Sequence, residues 1–157
     1  MSKIAPCLWF AREAEEAANF YVSLFPDSRI DHVQKNVIDT PSGKPDQVLV
    51  VSFTLAGQRF MALNGASHVE FNHSISLAVD CADQTEVDRL WNGLADGGKP
   101  VACGWITDRY GVSWQIVPTI LIKYIADPDK AKAARVMQAM MQMVKLDIAG
   151  LEAAYRG

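Results

Sequence analysis

Residues 103–118, CGWITDRYGVSWQIVP, read as a strand, a tight turn through Asp108, Arg109, Tyr110 and Gly111, and a second strand carrying Val112, Trp114 and Ile116. A weaker copy, VSFTLAGQRFMALN, occupies residues 51–64 and turns at Gly57. Laying Gly57 over Gly111 pairs Phe60 with Trp114 and Met61 with Gln115. The chain is therefore read as an internal repeat, with a hairpin closing each copy.

In the first copy, residues 4–10 form an apolar run suited to a strand buried on both faces. Residues 11–25 place Ala14, Ala17, Ala18, Tyr21, Leu24 and Phe25 at helical spacing, with Glu13, Glu15, Glu16 and Asn19 opposite, and Pro26 stops the helix. Residues 29–36 read as a strand. Residues 37–46, holding Pro41, Gly43 and Pro45, read as a polar loop long enough to act as a flap. Residues 47–55 and 58–63 complete a βαβββ pattern.

The second copy repeats it. Residues 73–79 read as a strand and residues 83–96 as a helix. Asp83 and Glu86 give that helix a capping box, Val87, Leu90, Trp91 and Leu94 its apolar face, and Gly97-Gly98 its end. A poorly marked strand near Pro100-Val101 precedes the opening hairpin.

Beyond it, residues 119–125 read as one short helix. Asp127-Pro128 starts another, in which Met137, Met140, Met141, Val144, Ile148 and Leu151 fall on one stripe at helical spacing. A Met-rich stripe can signal a binding groove, but its commoner use is packing on its own sheet or on a second copy. The expected fold class is α+β: two tandem βαβββ modules (1–65 and 66–118) forming a cupped mixed sheet, with a C-terminal helical tail (119–157), all within one structural domain.

Composition excludes several roles. The net charge is −3 and the cations are scattered, so the basic stripe that nucleic acid requires is missing. No apolar run reaches bilayer length and the first ten residues lack signal-peptide architecture. The three cysteines, Cys7, Cys81 and Cys103, form no CxxC pair, which fits reduced thiols in the cytoplasm. No nucleic-acid or membrane partner is expected.

The paired βαβββ pattern resembles the vicinal-oxygen-chelate superfamily of glyoxalases, extradiol dioxygenases and fosfomycin and bleomycin resistance proteins. Particular phrases are narrower: Leu8-Trp9-Phe10, EEAANFY at 15–21, FMALNG at 60–65, Phe71-Asn72, QTEVD at 84–88, the 103–118 hairpin and MMQMVKLDIA at 140–149. With these the chain looks like the PhnB-like branch, often labelled demethylubiquinone methyltransferase-like. Fold alone does not fix function.

In metal-dependent members, the resemblance implies one ligand early in the first strand and one in the last strand of each module. Those positions hold Pro6, Met61, Ser74 and Gln115 here. A divalent first-row metal wants imidazole, carboxylate or thiolate, so no metal and no other cofactor is expected. Parity of the strands directs Pro6, Leu8 and Phe10 to the cup and Cys7 and Trp9 to the helix. It likewise directs Arg59, Met61, Leu63, Ser74, Ser76, Ala78, Ser113, Gln115 and Val117 to the cup.

The candidate ligand-binding set is Phe10, Arg59, Met61, His73, Ser74, Ser76, Trp105 and Gln115, an apolar lining with neutral polar groups and one arginine. No catalytic residue is assigned: no carboxylate pair or activated nucleophile is visible, and whether there is turnover is left open. Asp108 and Arg109 are read as solvated turn residues and Cys103 as a buried structural cysteine. The expected function is binding of a small, partly apolar organic molecule without metal. The alternatives are a metal-dependent lyase, dioxygenase or antibiotic-modifying enzyme, and a dimerisation or scaffold module. The resemblance implies a homodimer, since superfamily members pair modules within or between chains.

Overall fold

The computed structural model describes residues 3–157. In chain order the elements are β1 (Cys7–Phe10), α1 (Ala14–Leu24), β2 (Arg29–Lys35), β3 (Val48–Leu55), β4 (Gln58–Asn64), β5 (Leu77–Cys81), α2 (Gln84–Ala95), β6 (Lys99–Pro100), β7 (Trp105–Thr107), β8 (Ser113–Pro118), α3 (Thr119–Ile125), α4 (Lys130–Met141) and α5 (Ile148–Arg156). The chain divides into two units, the first ending at Glu70 and the second running from Phe71 to Gly157. Each contains one mixed four-stranded sheet, ordered β1-β4-β3-β2 in the first and β5-β8-β7-β6 in the second. The same order twice is the internal repeat in three dimensions. The fold class is α+β, two βαβββ modules with helices after the second.

In the first unit, Ala14, Ala17, Ala18 and Tyr21 are fully buried against the sheet, as their helical spacing dictates. Tyr21, Phe53 and Phe60 stack in series, with ring centroids 6.4 and 5.5 Å apart. The helix starts at Ala14 rather than at residue 11. Its N-cap residue, Glu13, lends no side-chain hydrogen bond to the helix. Instead the buried Asn64 accepts from the Ala14 amide at 2.9 Å and donates to the Val48 carbonyl at 2.9 Å. One asparagine thereby ties the starts of α1 and β3 to the end of β4.

β1 corrects the parity expected for it. Leu8 and Phe10 are buried, whereas Cys7 and Trp9 are exposed. The parallel register sets Leu8 beside the buried Ala62 and Cys7 beside Met61. Residues paired across neighbouring strands share a face, so Phe10 lies on the helix side and leaves the candidate site. The Trp9 indole instead donates to the Ser67 carbonyl at 2.8 Å.

In the second unit, the α2 cap is the expected one, with Asp83 accepting from the Glu86 amide at 2.9 Å. The Glu86 carboxylate reaches one residue further back than a capping box requires, to the Ala82 amide at 2.8 Å. The first strand begins at Leu77, and residues 73–76 form a turn. Ile75 is 80% exposed as a result. Asp108 is a second correction. It is buried, accepting from the Tyr110 and Val112 amides at 2.9 and 3.0 Å and from the Trp114 indole at 2.8 Å. Its neighbour Arg109 pairs with Asp96 at 2.7 Å.

The tail is two helices after α3, not one continuous stripe. α4 is capped by Asp129, two residues beyond the expected start, and α5 by Asp147. Leu121, Val136, Leu146 and Leu151 form a buried cluster against which Met140, Met143 and Tyr155 pack. Met137, Met141 and Val144 remain exposed, so the stripe is split between core and surface. Gln84 of α2 holds the α4–α5 connection, donating to the Leu146 carbonyl and accepting from the Ile148 amide. The Cys103 and Gly104 amides donate to the Met143 and Val144 carbonyls. Cys103 is half-buried at this junction, in the left-handed region at φ 53°.

Candidate functional site

β8 is the strand on which the second unit's site is built. Trp114 and Ile116 are buried toward the core, which turns Ser113, Gln115 and Val117 to the other face. Register adds Ala78 beside Gln115 on β5, and Trp105 and Thr107 beside Gln115 and Ser113 on β7. The expected parity of β8 holds, and so does the facing of Ala78.

Two hydrogen-bonded pairs stand on this face. The Gln115 amide donates to the Ser76 hydroxyl at 2.8 Å, and His73 Nδ1 lies 2.8 Å from the Ser113 hydroxyl. Ser113 is 1% exposed, and its hydroxyl also reaches the Asn72 carbonyl at 3.5 Å. The His73 ring meets the Trp105 ring edge-on, centroids 5.8 Å apart. Adjoining them is a pocket of about 330 Å³, lined by Phe71, Pro100 and Val101 on the apolar side and by His73, Thr107 and Ser113 on the polar side. No carboxylate lines it; Lys99 supplies the single formal charge.

Of the eight candidate residues, the structure therefore brings together His73, Ser76, Trp105 and Gln115. Ser74 is exposed in the 73–76 turn, its amide capped by the Asn72 side chain at 2.9 Å. Arg59 and Met61 belong to the first unit. They stand on the β4 face turned away from α1, with an Arg59 nitrogen 3.8 Å from the Met61 sulfur. Phe10 is on the opposite face. Ser113 was not among the candidates, although its place two residues before Gln115 put it on the same face.

The metal-ligand positions were tested against this register. Met61 has Cys7, not Pro6, at its side, and Gln115 has Ala78, not Ser74. Although Cys7 as a whole is exposed, partial desolvation pushes its thiol above its ordinary pKa, away from the thiolate that binds metal. The Gln115 amide is engaged by Ser76. A thiol, a thioether, a methyl group and an occupied amide do not fit a divalent first-row cation. Among the described residues no three His, Cys, Asp or Glu side chains converge. Cys81 is likewise unreactive: burial raises its thiol pKa to about 12. No helix among the described residues is long and apolar enough to cross a membrane.

Comparison with known proteins agrees with the topology. The profile of the family described as 3-demethylubiquinone-9 3-methyltransferase matches residues 2–117. A putative 3-demethylubiquinone-9 3-methyltransferase, PhnB protein, from Bacillus cereus is 35% identical, with a TM-score of 0.67 over 75% of this chain and 100% of its own. A protein from Staphylococcus aureus is 37% identical over 73% of this chain and 94% of its own, with a TM-score of 0.34. Protein PA1353 from Pseudomonas aeruginosa is 21% identical, with a TM-score of 0.63 over 75% of this chain and 98% of its own, a likeness of fold. No curated protein sequence matches. The matched profile and the Bacillus cereus PhnB relative place the chain in the 3-demethylubiquinone-9 3-methyltransferase family, in its PhnB-like branch.

Proposed function

We propose that this protein binds a small, partly apolar organic molecule on the β7–β8 face of its second unit, without a metal and without turnover. The observation that carries this reading is the His73–Ser113 pair in the wall of a pocket of mixed polar and apolar lining, with the Gln115–Ser76 pair on the same sheet face. Neutral polar groups fixed by one another present donors and acceptors of set direction, which recognises a ligand hydroxyl, carbonyl or amide. Trp105 adds an aromatic surface at the same face. The acid–base work of an enzyme needs a proton carrier oriented by a third group. His73 has a hydroxyl and a ring edge beside it, and no carboxylate lines the pocket.

The methyltransferase in the family's name is not carried over to this chain. A Rossmann-type cofactor domain needs a parallel sheet and a glycine turn between strand and helix. Here both sheets are mixed, and the adjacent glycines Gly97-Gly98 follow α2 and lead into β6. A homodimer in the cytoplasm completes the proposal, on the resemblance to superfamily members and the reduced cysteines.

A thermal-shift screen of small aromatic and aliphatic carbonyl, hydroxyl and amide compounds tests the site. Compounds that stabilise the protein are expected to bind about tenfold more weakly to Gln115→Leu, from loss of one oriented hydrogen bond. Equal binding to Gln115→Leu, Trp105→Ala and the parent protein would remove the site from this face.

A further inference from the structure

The first unit holds a second pocket, larger than the one above, at about 440 Å³. Three segments line it: Arg12 and Glu15 at and just before the start of α1, Lys35 at the end of β2, and Ser42, Asp46 and Gln47 from the loop that follows. Asn64, only 6% exposed, is among its lining residues and holds the α1 wall to the β3 strand through the two hydrogen bonds already described.

The loop wall is held as firmly by a second buried asparagine. Asn36 exchanges backbone hydrogen bonds with Asp46 and Gln47, and its side chain accepts from the Thr40 hydroxyl at 2.9 Å. Thr40 and Gly43 close the loop tip by a reciprocal amide–carbonyl pair. Residues 37–46, a loop long enough to act as a flap, are bonded to one another and to Asn36. At Asp46 the backbone is in the left-handed region, φ 69°. Aspartate is one of few residues that tolerate this conformation, and strain of this kind clusters at binding sites.

The charges around this pocket are unspent. Among the described residues, neither Arg12 nor Lys35 and neither Glu15 nor Asp46 forms an ion pair. Two cations and two carboxylates lining one pocket, exposed and without ion-pair partners among the described residues, favour a ligand carrying both signs. A lone anion would meet Glu15 and Asp46, and a lone amine would meet Arg12 and Lys35.

We infer that this pocket binds a small zwitterion of the α-amino-acid type, its carboxylate toward Arg12 and Lys35 and its ammonium toward Glu15 and Asp46. The inference rests on the first unit alone and stands independently of the ligand proposed for the second. The backbone of the α1 and loop walls is held by the two asparagines before a ligand arrives, which lowers the ordering cost of binding.

The test is titration of the ¹⁵N-labelled protein with each of the common amino acids up to millimolar concentration, with inorganic phosphate and methylamine in parallel. At least one amino acid is expected to move the amide signals of Arg12, Glu15, Asp46 and Gln47. Lys35→Gln and Asp46→Asn should each weaken that binding about tenfold, the loss of one charge-assisted contact. Both replacements leave the asparagine clasps in place, and unchanged signals from Ala14 and Asn36 would verify it. Silence from every amino acid would overturn the inference. So would phosphate alone binding as tightly, or binding that survives both substitutions.

Discussion

Replacing Gly98 by alanine is expected to cost about 3 kcal/mol or more, a large fraction of the stability of an ordinary small domain. A Cβ at this position would lie 2.1 Å from the Leu94 carbonyl oxygen and 2.6 Å from that of Thr107. Both are backbone atoms, one in α2 and one in β7, so no side-chain rotation relieves the clash. The end of α2 must move off the sheet, and Val87, Leu90 and Leu94, all fully buried, would move with it. Gly57→Ala is the matched control. It sits at φ 81° with no atom within 4 Å of an added Cβ, so it pays only the left-handed backbone penalty, about 1 kcal/mol. Urea midpoints of the two variants measure the difference, and near-equal values would contradict the packing described for Gly98.

Asp108→Ala is expected to have the next largest effect, about 3 kcal/mol, because it strands three donors at a buried position. The amides of Tyr110 and Val112 and the indole of Trp114 all converge on its two carboxyl oxygens. Trp114 is 2% exposed, so its indole N–H has no water to turn to. Asp108→Asn keeps one acceptor oxygen and turns an N–H₂ toward the other partners, which predicts a loss between those of the parent and the alanine variant. Denaturant unfolding of all three proteins gives the order. An Asp108→Ala variant as stable as the parent would show that the turn is held by its backbone alone.

These two positions mark the limit of what the sequence displays. Gly57 and Gly111 announce their hairpins because each turn needs a residue at positive φ, and both occupy that region, at 81° and 89°. The capping pair at Asp83 and Glu86 is equally local, and so is the alternation along β8. All three were legible, and together they define the paired βαβββ fold. Asp108 reads as a solvated turn residue because its decisive partner, the Trp114 indole, reaches back across the hairpin.

Strand β1 fails for a different reason. CLWF is four apolar residues in succession, so it carries no period-2 signal, and only its register on β4 settles that Phe10 faces the helix. In residues 73–79, HSISLAV, the small–large alternation mimics a strand, yet the first four residues turn to bring His73 onto Ser113. The tail stripe continues unbroken through residues 142–147 in sequence, while the Asp147 cap restarts the helix there. For the site, the face of β8 was readable and its pairings were not, because His73 and Ser113 lie 40 residues apart. The charged pocket of the first unit draws on separate segments around Arg12, Lys35 and Asp46, and no local pattern joins them.

The most direct test of metal-free binding is native mass spectrometry of the protein purified without chelator, gentle enough to retain metals and small molecules. The expected result is a protein free of stoichiometric transition metal that carries an organic mass, with that mass lost in Gln115→Leu. Stoichiometric zinc, iron, manganese or nickel would contradict it, and would direct attention first to His73 and Cys7.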